Sequence, residues 1–167
     1  MKTDLPSPRP AHWGALAWLV IATFATAAVG ALASIDAKDF YQSLNQPAWA
    51  PPPAVFGPVW GVLYLMMCAA AWLAMRRLGM PAARSAMQLY GAQLVLNALW
   101  TWLFFHWHSG ALALAEVLLL LVVVAATARA FGRARPLAGW LMLPYLTWVA
   151  FASVLTFAMW RLNPGVL

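Results

Sequence analysis

Tyr90, Gln93, Asn97 and Trp100 recur at intervals of 3, 4 and 3 residues, so in a helix they share one face. Amides and a phenol are not aimed at hydrocarbon, so that face must look inward. The chemistry open to it is hydrogen bonding, either between packed helices at about 1 kcal/mol each or to a bound molecule. Trp60 and Tyr64 stand four apart, and Trp148, Ser153 and Thr156 follow later in the chain. Indoles with a few polar points suit a large, flat, apolar ligand. Hydrolysis has nothing to work with: no Ser–His–Asp set, glycine-rich phosphate loop or carboxylate pair is present. Cys68 is the single cysteine, which excludes an internal disulfide, a CxxC pair and cysteine-rich zinc sites. His106 and His108 read as solvated residues of a short loop rather than haem ligands. Glu116 reads either as a snorkelling acid near the outer mouth or as a partner for a ligand or a polar group. No catalytic residue and no metal site is expected.

The elements that position these residues follow from solvent. Of 167 residues, 65% are hydrophobic and 8% charged. A soluble domain is nearer half apolar and a quarter charged, so lipid is the main solvent here. Stretches 10–35, 40–75, 85–115 and 136–160 carry no charge. About 20 apolar residues of helix cross ~30 Å of hydrocarbon. The reading is an all-α integral membrane protein, one domain of five transmembrane helices at about 13–33, 55–75, 85–105, 110–131 and 138–160. Barrel-type alternation is missing, and isolated strands cannot satisfy their backbone in lipid.

Eight of the ten Lys and Arg residues fall on one side of this arrangement: Lys2, Arg9, Arg76, Arg77, Arg84, Arg129, Arg133 and Arg135. Lys38 and Arg161 fall on the other. In a bacterial cytoplasmic membrane this predicts the N-terminus inside and the C-terminus outside. The formal charge of +6 is therefore an orientation signal, and no nucleic-acid partner is expected. Ala31-Leu32-Ala33 before Ser34 offers a rival reading of span 1 as a cleaved secretory signal, against which its apolar run is long.

The connection 36–54 is the longest, and four of the twelve prolines (Pro47, Pro51, Pro52 and Pro53) sit in it. Proline fixes φ and removes donors, so Pro47–Pro53 is expected to be stiff and extended. With Phe40, Tyr41, Leu44 and Trp49 supplying an apolar side, the segment is either an interfacial strap or a lid over the outward end of the bundle. Of the eleven tryptophans, Trp13, Trp107, Trp140 and Trp160 suit interface belts, whereas Trp60, Trp100 and Trp148 lie deeper. Pro144 interrupts the last span and is expected to bend it.

Three ordered blocks carry a resemblance. Gln46-Pro47-Ala48-Trp49-Ala50-Pro51-Pro52 with Val55-Phe56-Gly57-Pro58-Val59-Trp60-Gly61-Val62-Leu63-Tyr64 is the first. Tyr90-Gly91-Ala92-Gln93-Leu94-Val95-Leu96-Asn97-Ala98-Leu99-Trp100 is the second, and Pro144-Tyr145-Leu146-Thr147-Trp148-Val149-Ala150-Phe151-Ala152 the third. In order and spacing the chain from Phe40 to Asn163 resembles the translocator protein family, whose bacterial members are tryptophan-rich sensory proteins (TspO/MBR). The resemblance implies a five-helix bundle, usually a homodimer, with a pocket open toward the first loop. It implies ligands such as protoporphyrin IX or haem-like tetrapyrroles, sterols and benzodiazepine-type compounds, with no required cofactor. Carried over by motif, the pocket positions are Trp49, Trp60, Asn97, Trp100, Trp148 and Ala152; Tyr64 and Ser153 join them from the span reading. Departures are Ala54 for a frequent tryptophan, Cys68 for a glycine, Thr156 for a frequent asparagine and Phe157 for the tyrosine of a sterol pattern. Porphyrin therefore ranks above cholesterol.

Three functions follow as expectations. The first is a membrane protein that binds porphyrin in transport, sensing or tetrapyrrole regulation. The second is an enzyme degrading porphyrin in light, and the third a non-catalytic scaffold. Small residues Ala22, Thr26 and Gly30, with Ala82 and Ala86, permit the close helix contact a homodimer uses. An outer-membrane location stays open beside the cytoplasmic one.

Overall fold

The computed structural model describes residues 13–167, so Lys2 and Arg9 of the charge argument lie outside the described residues. The described residues form five long helices and one short helix: α1 (Trp13–Ala33), α2 (Ala37–Ser43), α3 (Phe56–Leu78), α4 (Met80–Thr101), α5 (Gly110–Ala134) and α6 (Pro136–Leu162). A 3₁₀ turn at Pro53–Val55 leads into α3, and a π-helical turn at Trp102–His106 ends α4. No strand occurs among the described residues. Trp13–Ala33, Pro53–Leu78, Gly110–Ala134 and Pro136–Leu162 are long and apolar enough to cross a membrane. The expected count was five. α4, with 22 residues, is long enough, but Arg84, Gln88, Gln93 and Asn97 make it less apolar than the others.

Local chemistry sets the joints. Gly79 at φ 78° lets the chain turn directly from α3 into α4, its N–H donating to the Met75 carbonyl. Arg135 is extended and Pro136 opens α6, a position where the missing N–H costs nothing. The resulting α5–α6 hairpin is the most extensive helix pair, and Gly132 faces Gly139 at its crossing. α6 runs through Pro144 without a break in its helical assignment.

The loop differs from the expectation. Residues 36–54 are not one long loop, because α2 occupies Ala37–Ser43. The prolines begin only at Pro47, and Phe40, Tyr41 and Leu44 recur at helical spacing, so a helix buries them together. Tyr41 and Leu44 are buried, and Phe40 meets Phe104 and Phe105 edge-on and stacks on His108 at 4.0 Å. Beyond α2 the chain does extend, with a turn at Pro47–Ala50 and Pro52 at φ −63°, ψ 148°.

The core of the bundle is filled mainly by α3, α4, α5 and α6 around Met67, Phe131, Met142 and Tyr145. A second, smaller cluster under α2 joins Tyr41, Leu44, Phe104, Ala113, Leu155 and Met159. Cys68 is a packed core residue. Glu116, read as a snorkelling acid or as a partner for a ligand or a polar group, is 7% exposed within α5, and neither carboxyl oxygen has a hydrogen-bond partner among the described residues.

Candidate ligand cavity

Between the two clusters lies a cavity of about 320 Å³. Its volume is within the usual range for small-molecule sites, about 300–1,000 Å³. α1 and the turn after it contribute a wall of small residues, Ala27, Gly30, Ala31 and Ser34. α3 contributes Trp60 and Tyr64, α4 Asn97, Trp100 and Thr101, and α6 Trp148, Phe151, Ala152 and Thr156. Lys38, Tyr41 and Pro53 border it from the segment between α1 and α3, and Phe56 from the start of α3. Six of the eight residues expected at the site, Trp60, Tyr64, Asn97, Trp100, Trp148 and Ala152, are thus brought together.

The other two are placed elsewhere. Trp49 is half exposed and meets Phe151 edge-on at 5.9 Å, outside the lining. Ser153 donates to the Val149 carbonyl of its own helix at 2.8 Å and does not reach the cavity. A hydroxyl in an apolar helix has its preceding turn as the nearest acceptor, which is why spacing alone misassigns such residues.

Asn97 is the hinge of the polar end. Tyr64 donates to its Oδ1 at 2.9 Å, and its Nδ2 donates to the Tyr145 hydroxyl at 3.1 Å. Three helices are tied through one amide, and the aromatic rings are held around it: Trp60 lies 5.5 Å from Tyr64 and 6.1 Å from Tyr145. Tyr145 did not enter the expected site. Its signal was the interval of three to Trp148, which puts both on one side of α6. The rest of the inward face of α4 serves packing: Tyr90 pairs with Thr23 of α1, and Gln93 donates to Met67 Sδ at 3.6 Å.

Two lining groups are orphaned. The Trp100 indole N–H and the Thr156 hydroxyl are buried without a partner among the described residues. An unmade hydrogen bond in an apolar site costs about 1–3 kcal/mol, so a ligand bearing acceptor atoms has a built-in preference there. Stacking surface is also in place. Trp100 lies parallel to Phe104 at 5.4 Å, and Trp148 packs on Phe56 at 5.9 Å and Phe151 at 5.5 Å. Among the described lining residues Lys38 alone is charged, and it stands at the exposed rim.

The cap is fastened at two points. The Tyr41 hydroxyl donates to the Pro51 carbonyl at 3.0 Å, and burial pushes its pKa above the usual phenol value. Asn45 and Asn163 join the cap to the end of α6 through a mutual pair of hydrogen bonds. The small stripe of α1, expected to serve a homodimer, has a use within the chain: Gly30 is buried against Thr101 and lines the cavity. His106 and His108 are exposed, and no metal-binding group of three His, Cys, Asp or Glu residues occurs among the described residues.

The chain is 40% identical over 151 residues to the tryptophan-rich sensory protein of Cereibacter sphaeroides, covering 87% of this chain and 92% of that one. It is 39% identical over 128 residues to the human translocator protein, 75% of this chain and 76% of the human one. Protein CrtK of Rhodobacter capsulatus is 35% identical over 149 residues, 87% and 90% of the two chains. The match to the TspO/MBR family runs over residues 15–161, from the first turn of α1 to the last turn of α6. With several apolar helices of spanning length and these relatives, this is a multi-pass integral membrane protein, and it belongs to the TspO/MBR family.

Proposed function

We propose that this protein binds a flat tetrapyrrole of the protoporphyrin IX type in the cavity beneath α2, in a transport, sensing or regulatory role. The observation that carries the reading is the pairing of indole and phenyl faces with two orphaned polar groups, Trp100 Nε1 and Thr156 Oγ1, in one apolar space. A porphyrin offers a large π-surface to the rings and carboxylate or ring acceptors to the donors. Trp60, Trp100 and Trp148 stack against the macrocycle, Tyr64 and Tyr145 hold Asn97, and Ala152 leaves room on α6. The Asn97 amide keeps the polar end ordered while the cap keeps water out.

The same reading takes α4 as a fifth membrane span whose polar face turns inward. It sets the N-terminus in the cytoplasm of a bacterial cell and the cavity toward the outer leaflet. It also takes the working form as a homodimer.

Titration of the purified protein with protoporphyrin IX, followed by tryptophan fluorescence, tests the binding. Saturable quenching at micromolar ligand, weakened in Trp100→Phe, is expected. Quenching that stays linear in ligand, identical for wild type and Trp100→Phe, refutes it.

A further inference from the structure

A second cavity, of about 400 Å³, opens at the other end of the bundle, between the end of α3 and the α5–α6 turn. Its lining is Leu73, Arg76, Arg77, Ala134, Arg135 and Pro136. Three arginines thus line one space. The described acids are remote: Asp36 and Asp39 belong to α2 and its approach, and Glu116 stands eighteen residues before Ala134, about 27 Å of helix rise. Two of the arginines have an oriented setting. Arg76 lies over the Trp72 ring at 5.6 Å, and Arg135 is fixed in the extended joint that opens α6, where no side chain caps the helix.

We propose that this cavity holds the phosphodiester headgroup of an anionic membrane phospholipid. Guanidinium forks match phosphate oxygens in pairs, and Arg rather than Lys occupies all three positions. Exposed apolar side chains just beyond the lining residue Pro136 distinguish a lipid from a free anion. Leu73 and Pro136 line the cavity, and Leu137 and Trp140, within the first turn and a half of α6, are 49% and 68% exposed. An acyl chain anchored at the arginines runs along that face. Basic cavities between helix ends at a membrane boundary bind acidic lipid headgroups in this way.

Native mass spectrometry of the full chain, in detergent doped with phosphatidylglycerol or phosphatidylcholine, tests the assignment. Each arginine near an anionic lipid contributes about fivefold to affinity. Arg76→Gln/Arg77→Gln/Arg135→Gln is therefore expected to lower phosphatidylglycerol retention roughly a hundredfold. The charge-matched variant Arg84→Gln/Arg129→Gln/Arg133→Gln, outside the lining, is expected to retain it. If the lining triple variant does not purify folded, Arg135→Gln alone is expected to lose about fivefold. Equal loss in both triple variants overturns the proposal, as does equal retention of the two lipids by wild type. Inorganic phosphate displacing phosphatidylglycerol at equal concentration also overturns it, in favour of a free-anion site.

Discussion

Asn45 and Asn163 hold each other across 118 residues of sequence. The Asn45 backbone N–H donates to Asn163 Oδ1 at 2.8 Å, and Asn163 Nδ2 donates back to the Asn45 carbonyl at 3.0 Å. The same Nδ2 also donates to the Met159 carbonyl at 2.8 Å, so one amide closes α6 and seats the segment that covers the cavity. The cap is thereby a docked part of the fold.

Replacing Asn163 with Ala removes these bonds. At about 1 kcal/mol each, the loss is roughly 2–3 kcal/mol of docking. Faster hydrogen exchange at residues 44–47 is expected, with protoporphyrin dissociating faster while the helices keep their protection. Unchanged exchange at 44–47 contradicts the clasp.

Asn97→Leu deprives Tyr64 of its acceptor and Tyr145 of its donor. Stranding the buried Tyr64 hydroxyl costs about 1–3 kcal/mol. Both a lower Tm and weaker porphyrin binding are expected. Tyr145→Phe removes one bond of the same amide and is expected to fall between wild type and Asn97→Leu in both measurements.

Ala152→Phe fills the cavity from α6 without touching the Asn97 network. Saturable quenching by protoporphyrin is expected to disappear while Tm stays near the wild-type value. Retained binding would place the ligand elsewhere.

Gly139→Ala tests the hairpin. A Cβ there meets the Gly132 Cα at 2.7 Å, backbone against backbone, so neither side can rotate away. A cost of about 1–3 kcal/mol, read as a lower Tm, is expected. Gly61→Ala, where a Cβ meets nothing within 4 Å, is the control and is expected to be neutral.

Cap docking is also pH-dependent. Burial raises the Tyr41 pKa above the phenol value of the unfolded chain, so the neutral hydroxyl is the form the fold favours. Its contribution is whole below pH about 10 and is lost as pH rises through the folded value. Amide protection across 44–51, taken relative to the base-catalysed intrinsic rate, is expected to fall in that range, and Tyr41→Phe to flatten the dependence.

Much of this was written in the chain as a line of letters. Uncharged runs of spanning length specify helices, because lipid leaves backbone groups no other partner. Helical periodicity likewise puts Tyr90, Gln93, Asn97 and Trp100 on one face. What each of them meets there was decided by how the helices cross: Gln93 reaches Met67 and Tyr90 reaches Thr23, while Asn97 and Trp100 border open space. Proline content predicts the stiff stretch after Pro47, but that α2 ahead of it docks Phe40 on Phe104 and Phe105 is a fact no local pattern contains. Spacing nominated Ser153, and its own preceding turn claimed the hydroxyl; motif nominated Trp49, and the cap carried it out to Phe151. A helix repeat records direction around one axis. Distance between axes depends on which small residues meet, as at Gly132 and Gly139, and only the assembled bundle supplies that.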